Sequence, residues 1–526
     1  MQTLKRRSQV GHDAVVARSS FFGPRRSGLD PAGLERASRK VRLPQIPASL
    51  KGAQRRAVAA GLEGGPQARN ARGNAANLEH RLIERATFGW TFAEQQTMDA
   101  LGPEGYLERQ LDADSIDDGG LEQVILDALP TLSMSPYELY LNYELTDDQA
   151  TPIYELWTAT LFRAVYNPRQ LYERMAHFWS DHFSIDIASD LAYLLKQADD
   201  RDVARRHALG SFPEMLRASA RSPAMLLYLS NASNFVGHPN ENYARELMEL
   251  HTLGVDGGYT QEDVREVARC FTGWSISAEA DPTLGTFVFY PTLHDDGPKT
   301  VLGQRIPAGG GMEDGERVLD ILASHPATAR FLGRKLLRWI WGYEPTDRMV
   351  EDIAAVYLAT NGDIKSMLRS AFKWWRMARS TEKLKRPFHL VTSALRAPFA
   401  GIQNPFFFLS SLFACGHLPF NWAPPNGYPD SEGYWSGLVM PRWNFAGLYT
   451  LGDGENAAAV VDLEALDPQQ SPDALTDVLD LLFTRGTLGD SSRSAIRDFL
   501  ASRPAGAATV RDALGLAAAS PEFQNY

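Results

Sequence analysis

The chain has 526 residues, 44% apolar and 22% charged, enough for one large core or a few domains and unlike a disordered composition. A net charge of −11 argues against nucleic acid as the main partner, and no run of about 18 apolar residues is present to span a bilayer. Two distant cysteines, Cys270 and Cys415, form no CxxC zinc pair and no disulfide framework.

The charge is unevenly placed. Residues 1–75 carry 15 Lys and Arg against 4 Asp and Glu, which leaves the remainder at −22. The first residues, MQTLKRRSQVGHDAVVARSSFFGPRRSGL, start like an export signal but lack its continuous apolar stretch of about 7 to 15 residues. Residues 1–77 are therefore expected to be a flexible basic tail without a core of its own, solvated or lying on the acidic body, or else in contact with nucleic acid or an anionic surface.

Residues 78–526 read as a single, mainly α domain. EHRLIERATFG opens it, with Leu82, Ile83 and Ala86 near helical spacing and Gly89 as the stop. Helices are expected over 153–167, 169–184, 201–220, 240–253, 261–272, 313–342, 347–359, 362–376 and 381–397. The pattern breaks at GTFVFYPTLHDDGPKTVLG, residues 285–303, which predicts a small β-hairpin or a pair of short strands. GHLPFNWAPPNGYPDSEGYWSG is too rich in Pro, Gly and aromatics for a regular element and reads as a long aromatic loop.

ERMAHFWSDHF is the first stretch with chemistry. Leu171, Met175, Phe178 and His182 follow the apolar spacing, so His182 points inward, whereas Glu173, His177 and Asp181 share a polar flank. The two imidazoles face different ways, unlike an HExxH site. In PNENYARELMELHTLG, Asn240 caps a helix that Gly254 ends, with Tyr243, Leu247 and Leu250 towards the core. Asn242, Glu246 and Glu249 occupy the adjacent flank. Those carboxylates are suited to acid–base work or to a shared metal, and Arg245 either binds substrate or pairs with Glu249 at i, i+4. With His182 and His251 they supply the ligand types of a carboxylate–histidine centre for a divalent metal, although not the ExxH spacing of a di-iron site.

YTQEDVREVARCFTGW reads as a capped structural helix. Thr260 and Asp263 form its start, Val264, Val267, Ala268 and Phe271 its core stripe, and Trp274 beyond Gly273 is its one ligand-facing candidate. In HDDGPKTVLG, His294 and Asp295 are acid–base candidates and Lys299 an anion binder, while Asp296-Gly297 equally suits a plain turn. Trp422, Tyr428 and Trp435 in the aromatic loop are placed either to stack on a substrate or to form a packed lid. GxSxG, Walker, GxGxxG and CxxCH motifs are lacking, so serine hydrolase, nucleotide and c-haem classes lose support.

Several of these stretches, RMAHFWSDHF, NENYARELMELHTLGVDGGYTQEDVREVARCFTGW, HDDGPKTVLG, GHLPFNWAPPNGYP and SPEFQ, occur in an order that resembles the bacterial domain of unknown function 1800 family. The chain departs from that pattern at Ser230, in YLSN, where an acidic residue is expected. The resemblance implies a periplasmic or extracellular protein with a phosphatase-like partner. Two functions remain: a hydrolase-like enzyme of an envelope or extracellular polymer using the carboxylate–histidine residues above, or a non-catalytic binding or assembly protein in which they are internal ion pairs.

Overall fold

The computed structural model describes residues 31–63, 73–189, 191–452, 457–463 and 466–526. The protein is mainly α, and the strands among the described residues form three two-stranded sheets. No described helix is long and apolar enough to cross a membrane.

The core is organised around the helix Ala150–Tyr166, whose residues are buried on every face except at Thr160. A helix that is apolar all round belongs in the interior. After a short connection the chain enters Gln170–His182, and a third buried helix, Pro387–Arg396, packs against Ala150–Tyr166. Proline at its first position starts that third helix without loss of a backbone bond.

Proline also explains where predicted helices divide. The region expected as one helix over 313–342 is two, Glu313–Ser324 and Pro326–Ile340, with His325 capping the second through Ala327 N–H. Pro326 cannot donate to the preceding turn, so the first helix ends there. Residues 201–220 divide into a π turn, Asp200–Arg205, and the helix Phe212–Ala220. The helix Glu241–Glu246 likewise runs into a π turn, Leu247–Thr252.

The β element differs from expectation in its pairing. Phe287–Phe289 pairs antiparallel with Trp274–Ile276, and the hairpin is Lys299–Val301 with Gln304–Ile306. Its two turn residues, Leu302 and Gly303, both have positive φ (48° and 76°), the I′ geometry that matches strand twist.

Within the segment read as a tail, residues 1–30 and 64–72 lie outside the described residues. Two helices, Pro31–Lys40 and Ala48–Glu63, bury Ala37 and Ala57 against the body. Lys40 meets Asp148 at 3.3 Å and Arg55 meets Asp462 at 2.9 Å, basic arm on acidic body. Cys270 and Cys415 are both buried and free.

Candidate functional site

Helical spacing puts His177 and Asp181 one turn apart on a single flank of Gln170–His182. Far along the chain, His417 follows the helix Pro405–Ala414, turned inward at Gly416 (φ 64°). The ligand atoms of His177, Asp181 and His417 lie within 4.8 Å of one another, and among the described residues theirs is the one such group of three or more.

Arg386, just before the helix Pro387–Arg396, closes the cluster. Its Nη2 donates to Asp181 Oδ2 and lies 2.9 Å from His417 Nε2. Phe388 N–H donates to His417 Nδ1 at 3.0 Å. Both ring nitrogens of His417 thus meet donors. A neutral imidazole has one lone pair to offer, and the Phe388 bond takes it, so the proton sits on Nε2. Burial, then Arg386, holds the ring's pKa well below its ordinary value.

Two imidazoles and a carboxylate are metal-ligand types, but this arrangement does not fit a divalent ion. A ligating imidazole must present a bare nitrogen, and a guanidinium that stays protonated already occupies the cation's position. The cluster is built around Arg386.

His177 differs from its neighbours. Its ring stacks on Phe388, with centroids 4.8 Å apart, and burial pushes its pKa down to about 4 although Asp181 opposes the shift. Neither ring nitrogen forms a hydrogen bond with a described residue, and the ring borders a cavity of about 20 Å³. That volume has room for about one water.

The aromatic loop covers this centre from the His417 side. Tyr428 and Trp435 pack on His417 with ring centroids at 4.5 and 4.9 Å. Both are buried and their polar atoms are already used: Tyr428 Oη donates to the Leu418 and Asn421 carbonyls, and Trp435 Nε1 to the Pro429 carbonyl. The lid alternative describes these two residues. Trp422 is half-buried and leans on Tyr428, its Nε1 bonded to Asn426.

The loop is anchored where Gly427 (φ 72°) passes over the carbonyl of Asp181. A Cβ there would come within 2.1 Å of that oxygen. Gly427→Ala is expected to cost about 2–4 kcal/mol, combining left-handed strain with the clash. Urea unfolding measures it, and a cost under about 0.5 kcal/mol would mean that the loop yields freely.

The other sequence candidates fall elsewhere. His182 does point inward, but its Nε2 bonds the His251 carbonyl at 3.1 Å and its Nδ1 faces Lys335 Nζ at 3.0 Å. Both of its nitrogens are committed. His251 is buried with ring centroid 6.0 Å from that of His182, and its Nε2 has no partner. Neither joins Glu246 and Glu249 in a ligand group among the described residues.

Glu246 is half-buried, its pKa raised by burial and then by Glu249. Arg245 binds Glu241 and Gln261 and stands 3.7 Å from Glu249, while exposed Asn242 donates to the Leu229 carbonyl. No hydrogen bond or ion pair among the described residues links this flank to Asp181 or His182.

His294, Lys299 and Asp314 form a closed buried knot, with Lys299 Nζ 2.5 Å from Asp314 and His294 Nε2 3.3 Å from the same oxygen. Lys299 is thus spent on Asp314 rather than open to an anion. Asp295 is held by both arms of Arg269, at 2.8 and 3.1 Å, and caps the turn at Gly297. Trp274 is fully buried between Phe271 and Phe287, which corrects its reading as a ligand-facing ring.

The family model described as "Protein of unknown function (DUF1800)" matches residues 81–525. The chain belongs to the DUF1800 family. Comparison of this DUF1800 chain with curated proteins finds no match, and comparison with solved structures finds none.

Sequence reading of the DUF1800 chain missed Arg386 and His417. KLKRPFH held a signal for the first, since three cations directly before a proline-started helix oppose its macrodipole and call for buried anions. Lys383 indeed meets Asp430 at 2.9 Å, and Lys385 stands 3.8 Å from Glu84. For His417, the aromatics of its loop drew the attention.

Proposed function

We propose that this protein is a hydrolase-like acid–base enzyme whose reactive group is His177, with Asp181, His417 and Arg386 as the charge framework that orients it. The observation that carries this reading is a buried imidazole whose nitrogens bond no described residue, in a residue that lines a cavity with room for one water. An imidazole that is neutral across the physiological range accepts a proton from water, and the adjacent carboxylate stabilises the imidazolium formed. A substrate polymer of the envelope or of the extracellular space is retained from the family resemblance. Of the six acid–base candidates in the sequence, Glu246, Glu249, His177, Asp181, His294 and Asp295, this reading keeps the role for His177 and Asp181.

An unbiased hydrolase panel on the full chain, run beside His177→Phe, tests this. Phenylalanine keeps the ring's stacking on Phe388, so the variant is expected to fold normally while losing about 10²–10⁴ in kcat on any substrate found. Full activity in the variant would refute the role of His177.

A second reading, a non-catalytic binding or assembly protein beside a phosphatase-like partner, is supported by one surface. The helix Val439–Leu448 exposes Val439, Met440, Trp443 and Leu448, each at least 42% accessible. Apolar rows of that kind mark docking faces. A folded wild-type chain inactive across the panel favours this reading.

A further inference from the structure

A larger cavity opens on the other side of Gln170–His182, between residues 113–133, the end of Ala150–Tyr166 and the π turn Asp200–Arg205, with a volume of about 390 Å³. That falls in the range of small-molecule sites. Asp200 and Arg205 border both this cavity and the small one beside His177.

Its lining is unusual in leaving opposite charges unspent. Arg163 is bound to Glu122, and Arg205 to Glu173 by both arms. Arg169 uses Nε on the Ile116 carbonyl but has no carboxylate partner, and exposed Arg206 has none either, among the described residues. Asp200 is 95% removed from solvent and makes no hydrogen bond and no ion pair with a described residue, the charges of Arg205, Arg163 and Lys196 acting on it at longer range. Gln197, also in the lining, has its Oε1 buried without a donor among the described residues while its Nε2 serves the Pro152 carbonyl.

Buried acceptors without donors are costly, so a ligand that brings hydroxyls to Asp200 and Gln197 relieves them. Arginines without acids call for an anionic group in the same ligand. Half-buried Tyr172 adds an aromatic wall. We propose that this cleft binds an acidic sugar, a hydroxylated ring bearing a carboxylate, with Arg169 and Arg206 on the carboxylate and Asp200 and Gln197 on the hydroxyls. This deepens the hydrolytic reading by placing the substrate beside the cavity of His177, but it concerns equilibrium binding and is tested without turnover.

The test is calorimetric titration of the full chain with glucuronate and galacturonate, against glucose, glutamate and inorganic phosphate. Either uronate is expected to bind at least about tenfold more tightly than glucose, a difference of about 1.4 kcal/mol. Arg206→Ala, at an exposed position, and Asp200→Asn should each weaken uronate binding by a similar factor while the melting temperature holds, and His177→Phe should leave it unchanged. Equal binding of glucose and glucuronate, tighter binding of glutamate or phosphate than of either uronate, indifference to both cleft substitutions, or no heat on the order of 10 mM uronate would each overturn the proposal.

Discussion

Between pH 6.5 and about 4.5 the protein is expected to lose most of its stability, with the steepest loss at the acid end. Five histidines, His177, His182, His251, His389 and His417, are buried, and burial lowers the pKa of each from an ordinary 6.5: His177 to about 4, His251 to about 3, the others well below the ordinary value. A folded-state pKa below the unfolded one means that the unfolded chain binds more protons. Stability therefore falls as pH drops through 6.5 and continues to fall until the folded pKa is reached. Each such group contributes about 1.4 kcal/mol per pH unit, so five approach about 7 kcal/mol per unit. Against an ordinary stability of about 5–15 kcal/mol, one to two units suffice. Carboxyls raised by burial, Asp200 and Asp480 among them, act in the opposite sense above their ordinary range and blunt the slope. Proton uptake on unfolding, measured by calorimetry in two buffers at pH 5, is expected to be positive by several protons, His80, pushed down to about 4, adding to the five and the raised carboxyls subtracting; no net uptake would overturn the expectation.

The second large effect is expected from Arg386→Leu. The substitution leaves the carboxylate of Asp181 without the cation that faces it, in a site where the two side chains are 8% and 17% exposed. Breaking one partner of a buried pair costs about 3–5 kcal/mol, largely because the other charge is stranded. The double variant Arg386→Leu with Asp181→Leu strands nothing and is expected to recover most of that loss, although neither single change does. A single-variant cost below about 1 kcal/mol in urea would mean that water reaches Asp181 well enough to replace the guanidinium.

The helices were legible because their faces are one-sided, as in Gln261–Cys270 with its Thr260–Asp263 cap. Their interruptions were less so. The π turns Asp200–Arg205 and Leu247–Thr252 span only six residues each, too short a stretch for apolar periodicity to mark them. The short strands Phe287–Phe289 and Lys299–Val301 fall where the sequence predicts them, whereas their partners were not legible, since Leu302, a residue that rarely takes positive φ, supplies half of the hairpin turn.

For the site, the i, i+4 pair His177 and Asp181 was visible in one helix, whereas Arg386 and His417 join it only through tertiary contact. The Glu246 flank offers comparable polar groups, an amide and two carboxylates at i, i+4 and i+7. What separates the two is burial, since Asp181 meets a cation held in the interior and Glu249 meets Arg245 on its own half-exposed face. A polar row on one helix is legible in both cases, and only the facing element decides between them.

The lid over His417 is fastened both to itself, where Tyr428 grips two carbonyls of its own loop and Trp435 a third, and to the body. Its bonds to the body run from Trp157 Nε1 to the Pro419 carbonyl, Ile187 N–H to that of Phe420, Tyr228 Oη to that of Ala423 and Arg338 to that of Asp430, with Lys383 on the Asp430 carboxylate and Phe388 N–H on His417. Such a loop does not fray residue by residue, because releasing one bond leaves the others closed. Its exchangeable amide hydrogens between Gly416 and Trp435 should therefore swap for deuterium as a group, with a shared opening free energy and, in the fast-labelling limit, a single rate. The indole hydrogen of Trp157, deep in the central helix, should report the same opening.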